Sequence, residues 1–161
     1  MELIKLAESV GMVLQRRGLM LTTAESCTGG WVAQLVTSVP GSSQWFERGF
    51  VTYSNSAKQE MLGVSDEVLA QYGAVSEQVV EQMVVGALSH SHAQVALAIS
   101  GIAGPDGGSL AKPVGTVCLA WGLQFQPIVT RRIQLSGDRQ EVRKRAVIAA
   151  LNGLFELLED E

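Results

Sequence analysis

Residues that can act as nucleophiles are concentrated in one stretch near the N-terminus, from Thr22 to Trp31. A short apolar run precedes the stretch and an apolar-periodic segment follows it, while Glu25, Ser26, Cys27 and two glycines stand between them. This order predicts a strand, a tight turn and the start of a helix. Such a turn can project a serine and aim backbone N–H groups at an incoming carbonyl. Ser26 is therefore the leading candidate nucleophile.

The same stretch also has a structural interpretation, because serine and threonine before a helix often serve as N-caps. Cys27 competes with Ser26 as the nucleophile, since a thiol near a helix N-terminus is activated. A catalytic serine needs a base, and neither histidine is well placed to supply one. His90 and His92 fall at a polar helix end, where solvated surface side chains are expected.

Lysine is the remaining base, provided that its pKa falls below the ordinary value of about 10.4. Lys58 follows the capping residues 54–56, which predicts a place in the first turn of a helix, where the helix dipole disfavours a cation. Burial beside Tyr53 is expected to lower the pKa of Lys58 further. The alternative is a solvated surface lysine. The nearby Tyr53, at the end of a predicted strand, favours the catalytic interpretation of Lys58.

A second stretch that could form part of a binding site is the loop from Ser100 to Gly108, which contains four glycines. It leaves an almost wholly apolar strand, and open α/β sheets bind ligands at that end of their strands. Glycine lets backbone N–H groups approach a ligand closely. The loop lacks the spacing of the Walker and dinucleotide motifs, so neither is predicted. A mobile turn is the alternative interpretation.

Arg139 begins the last predicted helix and could fork onto a phosphate. Arg143 and Arg145 follow on the same helix, and the alternative for all three is a basic, solvent-exposed face.

Apolar periodicity and turn residues predict the elements that position these groups. The predicted helices cover 2–17, 28–38, a short segment ending at Gly63, 65–72, 77–91 and 139–158. The predicted strands cover 19–24, 46–53, 94–99, 114–124 and 127–135, the last two as an antiparallel pair. No internal repeat or linker is evident, so residues 1–161 are expected to form one α/β domain, a sandwich with a mixed sheet flanked by helices.

Composition narrows the function further. The chain has 161 residues, 47% hydrophobic and 17% charged, which is typical of a globular domain with a sizeable core. A net charge of −4 gives no support to a nucleic-acid partner. No apolar stretch reaches the length of a membrane span, so no membrane partner is expected. Two cysteines without a leader predict a cytoplasmic protein, and the two histidines lack zinc spacing.

Several stretches, in order along nearly the whole chain, closely resemble the CinA C-terminal-domain family, in particular its stand-alone amidases. They are Thr23-Ala24-Glu25-Ser26-Cys27-Thr28-Gly29-Gly30, Val51 through Lys58, Gly73-Ala74-Val75-Ser76, Ser100 through Gly108, Lys112-Pro113-Val114-Gly115-Thr116-Val117 and Ser136-Gly137-Asp138-Arg139.

The resemblance implies hydrolysis of the carboxamide of nicotinamide mononucleotide, giving nicotinate mononucleotide and ammonia, within pyridine nucleotide recycling. It also implies an α/β sandwich, a homo-oligomer of two or more copies, and no metal or cofactor. Larger members carry an additional N-terminal domain whose activity is not expected of this chain. A different amide hydrolase and a non-catalytic nucleotide- or partner-binding module remain as alternatives.

The family's serine falls on Ser26, its lysine on Lys58 and a supporting tyrosine on Tyr53, so these three are the predicted catalytic residues. The expected mechanism is an acyl-enzyme route in which neutral Lys58 takes the proton of Ser26. The predicted substrate-binding residues are Cys27, Thr28, Gly29, Ser100, Gly101, Gly104, Gly107 and Arg139.

Overall fold

The computed structural model describes residues 2–159. The helices there are α1 (Glu2–Arg17), α2 (Trp31–Thr37), α3 (Asn55–Leu62), α4 (Asp66–Tyr72), α5 (Glu77–Ser89) and α6 (Arg139–Glu159), with a short 3₁₀ turn at Ser42–Gln44. The strands are β1 (Leu21–Glu25), β2 (Phe46–Val51), β3 (Val95–Gly101), β4 (Thr116–Leu123) and β5 (Val129–Gln134). The order of elements follows the sequence prediction throughout.

The five strands form one mixed sheet in the order β2-β1-β3-β4-β5. β1 runs parallel to both of its neighbours, whereas β3, β4 and β5 are antiparallel. Glu25, the last residue of β1, pairs with Val51 on one side and Ile99 on the other. Three parallel strands therefore end together, and the segments that follow them meet at one edge of the sheet.

Side chains of alternate strand residues point to opposite faces of the sheet. One face carries large groups, among them Leu97, Leu119 and Trp121, and packs against α1, α2 and α6. The other carries mainly alanine, including Ala96 and Ala98, and packs against α5. Helices thus cover both faces, which confirms the predicted α/β sandwich with a mixed sheet.

The main difference from the predicted boundaries lies after β1. Helix α2 begins at Trp31 and not at residue 28, because Gly29 and Gly30 have φ angles of 60° and 99°, outside the range of a right-handed helix. Residues 26–30 therefore form a separate turn between strand and helix. By contrast, α3 is capped as predicted: the Ser54 hydroxyl accepts a hydrogen bond from the Ala57 N–H at 3.0 Å.

Within residues 2–159, no helix combines the length and apolar character needed to cross a membrane.

Candidate active site

A serine and a lysine meet at the edge where β1 and β2 end. Lys58, on α3, has its Nζ 2.9 Å from the Oγ of Ser26, the first residue after β1. The same Nζ donates to the carbonyl oxygens of Thr52 at 3.0 Å and Tyr53 at 3.2 Å. Only 1% of Lys58 and 7% of Ser26 is exposed. The parallel pairing of β1 with β2 therefore brings together two residues that lie 32 positions apart.

The lysine is buried without a counter-charge. Among the described residues, no carboxylate forms an ion pair with Lys58. Loss of water around the ammonium lowers the pKa of Lys58 from its ordinary value. A neutral amine has two N–H groups for the two carbonyls and one lone pair for the hydroxyl of Ser26. The arrangement can therefore take the proton of the serine, as a general base must.

The turn that carries Ser26 is held in shape by Glu25, whose carboxylate is fully buried. The carboxylate accepts hydrogen bonds from the Thr28 hydroxyl at 2.6 Å and from the backbone N–H groups of Val32 and Ala33, both at 3.0 Å. Sequence reasoning assigned Glu25 no role. The available signal was its place between a strand and a helix start, where a carboxylate satisfies free N–H groups.

Ser26 and Lys58 open into a cavity of about 320 Å³. Six of the eight predicted substrate-binding residues line it: Cys27, Ser100, Gly101, Gly104, Gly107 and Arg139. The other two, Thr28 and Gly29, line a separate concavity together with Trp31 and Arg143. The turn after Ser26 thus separates two concave surfaces, and only one of them contains the serine–lysine pair.

Tyr53 contributes two different groups to this cavity. Its backbone carbonyl lies against the serine–lysine pair, 3.2 Å from Lys58 Nζ and 3.4 Å from Ser26 Oγ. Its phenol makes no hydrogen bond to Lys58 and accepts one from Arg139 Nη2 at 3.2 Å. Arg139 also donates through Nη1 to the Gly104 carbonyl at 2.7 Å, so it connects the tyrosine to the glycine-rich loop.

The opposite wall joins Ser100, a predicted substrate-binding residue, to a segment to which the sequence analysis assigned no role. The Ser100 hydroxyl is buried and donates to the Ala74 carbonyl at 2.8 Å, which fixes the segment before α5 against β3. Asn55, Ala74, Val75 and Asp106 also line the cavity. The Gly73–Ser76 stretch belonged to the family resemblance, but its residue types alone carry no chemical signal.

Cys27 was the alternative nucleophile. It is buried, and burial raises the pKa of its thiol to about 11. A thiol of that pKa is protonated at neutral pH and is a weak nucleophile. The environment therefore favours Ser26 over Cys27. Across residues 2–159, no group of three or more His, Cys, Asp and Glu side chains is arranged to hold a metal ion.

The fold and the site together define a class: an α/β protein with a buried serine–lysine pair where parallel strands of a mixed sheet end. The CinA C-terminal domain model matches residues 3–158. The chain belongs to the CinA C-terminal domain family, which confirms the resemblance seen in the sequence.

Similar proteins cover nearly all of the chain. It is 57% identical to nicotinamide-nucleotide amidohydrolase PncC of Escherichia coli K12, over 96% of this chain and 94% of that protein. Identity to the Pseudomonas putida protein of the same name is 56%, over 94% of each chain. A solved structure of the competence/damage inducible protein CihA of Agrobacterium tumefaciens superposes with a TM-score of 0.95 at 44% identity, covering 98% of this chain and 96% of that one.

Proposed function

We propose that this protein is a nicotinamide-nucleotide amidohydrolase, which converts nicotinamide mononucleotide and water to nicotinate mononucleotide and ammonia. The names of its full-length relatives supply the substrate. The observation that carries the reaction type is the 2.9 Å contact between Ser26 Oγ and a buried Lys58 with no carboxylate partner in the described part of the chain. A serine beside a lysine of lowered pKa is the arrangement that nucleophilic amide hydrolysis needs.

In the first half-reaction, neutral Lys58 takes the hydroxyl proton of Ser26 while Oγ forms a bond to the carboxamide carbon. The carbonyl oxygen becomes an oxyanion, which backbone N–H groups of the turn after Ser26 stabilise, each worth about 3 kcal/mol. The carbon–nitrogen bond then breaks, and protonated Lys58 gives its proton to the departing nitrogen. Ammonia leaves and an acyl-enzyme ester remains on Ser26.

In the second half-reaction, water attacks the ester carbon and Lys58 accepts a proton from it. The bond between the carbon and Ser26 Oγ breaks, and the proton returns to the serine. Nicotinate mononucleotide leaves. The carbonyl oxygens of Thr52 and Tyr53 hold the lysine amine in place through both halves, since each lies within 3.2 Å of Nζ.

The remaining walls of the cavity hold the nucleotide. A volume of about 320 Å³ is within the range of small-molecule sites. Arg139 stands on the exposed side of the cavity and presents a guanidinium to the 5′-phosphate, while the loop from Ser100 to Gly108 lies against the ribose. Tyr53 supports Arg139 through its phenol and Lys58 through its carbonyl.

In the cell, this activity belongs to pyridine nucleotide recycling, in the cytoplasm, with the chain assembled as a homo-oligomer.

The direct test is release of ammonia and nicotinate mononucleotide from nicotinamide mononucleotide by the purified protein, followed by a coupled ammonia assay and by chromatography. Ser26→Ala is expected to lower kcat by at least about 10³-fold, because it removes the oxygen that lies against Lys58 Nζ and forms the ester. Cys27→Ala is the matched control one residue away and should keep most of the activity.

Each alternative gives a different result. Full activity of Ser26→Ala would remove the nucleophile assignment, and loss confined to Cys27→Ala would transfer it to the thiol. Ammonia released only from another amide would mean a different substrate. Binding of nicotinamide mononucleotide with a thermal shift but no turnover would mean a non-catalytic binding module.

A further inference from the structure

The cavity that contains Ser26 and Lys58 has one carboxylate residue among the described residues of its lining, Asp106. This residue is exposed and lies in the glycine-rich loop, two positions after Gly104. Across residues 2–159, no lysine, arginine or histidine forms an ion pair with it. Its charge can therefore act on a ligand in the cavity.

The first half of the loop connects the two ends of the cavity. It begins beside the nucleophile turn, since a Cβ added at Gly101 would stand 3.1 Å from Cys27 Sγ. It then reaches the exposed end, where the Gly104 carbonyl accepts a hydrogen bond from Arg139 Nη1 at 2.7 Å. This half of the loop therefore spans the distance from the nucleophile turn to the arginine.

The second half of the loop turns back along the first. Gly107 has a φ angle of 98°, which favours glycine, and a Cβ added there would stand 3.6 Å from Ile102 Cγ2. Asp106 directly precedes Gly107, so it lies between the contact with Arg139 and the return to Ile102. The carboxylate residue thus borders the middle of the cavity and not only its exposed end.

The charges of this cavity complement those of the proposed substrate. Nicotinamide mononucleotide has an anionic phosphate and a pyridinium ring, whose nitrogen is positive because it also bonds to the ribose. Lys58 is neutral in the proposed mechanism, and the Cys27 thiol, whose pKa burial raises to about 11, is protonated at neutral pH. In the described lining, the carboxylate of Asp106 and the guanidinium of Arg139 remain, and they form no ion pair with each other.

The order of groups along the substrate agrees with the order along the loop. When the carboxamide is at Ser26 and the phosphate is at Arg139, the ring nitrogen and the ribose lie between them. The segment of the loop that carries Asp106 borders the same interval. A carboxylate there attracts a cationic ring and gains nothing from an uncharged one.

We propose that Asp106 is a specificity-determining residue that recognises the positive charge of the pyridinium ring, so that the site prefers nucleotides with an oxidised ring. The inference rests on the proposed amidohydrolase function and names the substrate class of that site. The ring keeps its charge from the bound substrate to the transition state, so the carboxylate stabilises both equally. Asp106 therefore acts on KM and not on kcat.

The test uses two ligands that differ in the charge of the ring. They are nicotinamide mononucleotide and its reduced dihydropyridine form, which keeps the carboxamide, ribose and phosphate but has an uncharged ring. Calorimetry gives the Kd of each ligand for Ser26→Ala, which lacks the proposed nucleophile, and for the Ser26→Ala, Asp106→Asn double variant. The double variant should bind the oxidised ligand about three- to fivefold more weakly, near the upper limit for exposed ion pairs, and the reduced ligand within about 1.5-fold.

Two further variants in the Ser26→Ala background control for charge. Asp106→Glu keeps the carboxylate and should keep most of the preference for the oxidised ligand. Glu60→Gln changes the net charge by the same amount at an exposed position of α3 outside the cavity lining, and it should leave both Kd values unchanged. In steady-state ammonia release, Asp106→Asn alone should raise KM for the oxidised substrate about three- to fivefold, with kcat within about twofold.

Ionic strength gives a measurement that needs no change at residue 106. Both ligands carry the phosphate, so its salt dependence cancels in the ratio of their Kd values. For Ser26→Ala, the preference for the oxidised ligand should shrink between about 0.01 M and about 1 M salt, because salt screens exposed charges. With Asp106→Asn the ratio should hardly depend on salt. If circular dichroism shows that Asp106→Asn does not fold, the salt dependence of Ser26→Ala decides the question, and a constant ratio would overturn the inference.

The outcomes separate the two proposals. A wild-type protein that releases no ammonia from nicotinamide mononucleotide would defeat the proposed function itself. An active wild type, with a ratio of Kd values that Asp106→Asn leaves unchanged, would defeat only the recognition of the ring charge. Equal weakening of both ligands would assign Asp106 to the ribose, and tighter binding of both would mean that it repels the phosphate. Either result overturns the inference.

Discussion

The two walls of the cavity that contains Ser26 and Lys58 are built differently. On one wall, Ser26 and Lys58 are almost fully buried, and rigid neighbours satisfy their polar atoms: the backbone of Thr52 and Tyr53. On the other wall, Arg139 is exposed and contacts the glycine-rich loop and the phenol of Tyr53, a residue that is 62% exposed. The first wall depends on strand pairing and the second on a loop and a helix start.

This difference separates two tasks. A buried wall can change the pKa of a group, because desolvation acts only where water is excluded. An exposed wall changes a pKa less strongly, because water still reaches it. Its long side chain, Arg139, can instead move to contact a bound substrate. We therefore expect changes on the buried wall to act on kcat and changes on the exposed wall to act on KM. The predictions below test that separation.

Lys58→Met should have the largest effect. Methionine keeps the length of the side chain in the buried site and removes the base, so kcat should fall by about 10³-fold, within the usual range for general base catalysis. The protein should remain folded, since the change removes a buried amine that has no counter-charge among the described residues. Steady-state ammonia release measures the effect, and Lys144→Met, at an exposed site on α6, is the control. A loss of less than tenfold would exclude Lys58 as the base.

The pH dependence of kcat/KM tests the same wall without a substitution. Protonated Lys58 cannot accept the serine proton, so activity should fall about tenfold per pH unit below the pKa of this lysine. Burial lowers that pKa, so the acid limb should lie below the ordinary lysine value of about 10.4. A pH profile of kcat/KM, recorded at constant ionic strength in buffers that do not inhibit the enzyme, gives the position of this limb. A limb at or above the ordinary value would mean that Lys58 rests as an ammonium.

The sequence predicted the buried wall better than the exposed one, for a physical reason. A hydroxyl after a strand and a lysine after capping serines are local signals, and the parallel pairing of β1 with β2, which the sequence did not predict, joins them. The turn between Ser26 and Trp31 was less predictable. Its glycines indicated a break, but the direction of Thr28 and Gly29 depends on contacts with Arg143, which lies far along the chain.

The fold was almost entirely predictable, because apolar periodicity and caps act within a few residues. Helix and strand ends differed by a few positions where tertiary pairing decides them: Glu25 belongs to β1 because it pairs with Val51 and Ile99. The orientation of a long side chain has no such local signal. The sequence could place Tyr53 near Lys58, but it could not show that its carbonyl faces the lysine and its phenol faces Arg139.

Arg139→Gln tests the exposed wall. Loss of the proposed charged hydrogen bond to the substrate phosphate is expected to raise KM by between about 10-fold and about 10²-fold, with kcat lowered less than threefold. Initial rates over a wide range of nicotinamide mononucleotide concentrations separate the two constants. Arg145→Gln on the same helix controls for net charge. A fall in kcat at unchanged KM would contradict the division between the walls, because it would place Arg139 in the chemical step.

Tyr53→Phe should have the smallest effect and tests where the two walls join. The substitution keeps the backbone carbonyl that contacts Lys58 and removes only the hydroxyl that accepts from Arg139. The pair is solvent-exposed, so the lost hydrogen bond should raise KM by about two- to threefold and leave kcat and the acid limb of the pH profile unchanged. A fall in kcat of about 10²-fold would instead show that the phenol takes part in proton transfer. The phenol would then have to leave Arg139 and turn toward Lys58 during the reaction, and the exposed wall would share in the chemistry.

The double variant Tyr53→Phe, Arg139→Gln distinguishes these cases. Effects on KM that are less than additive mean that the phenol acts through Arg139. Independent effects on kcat mean that it acts on the serine–lysine pair.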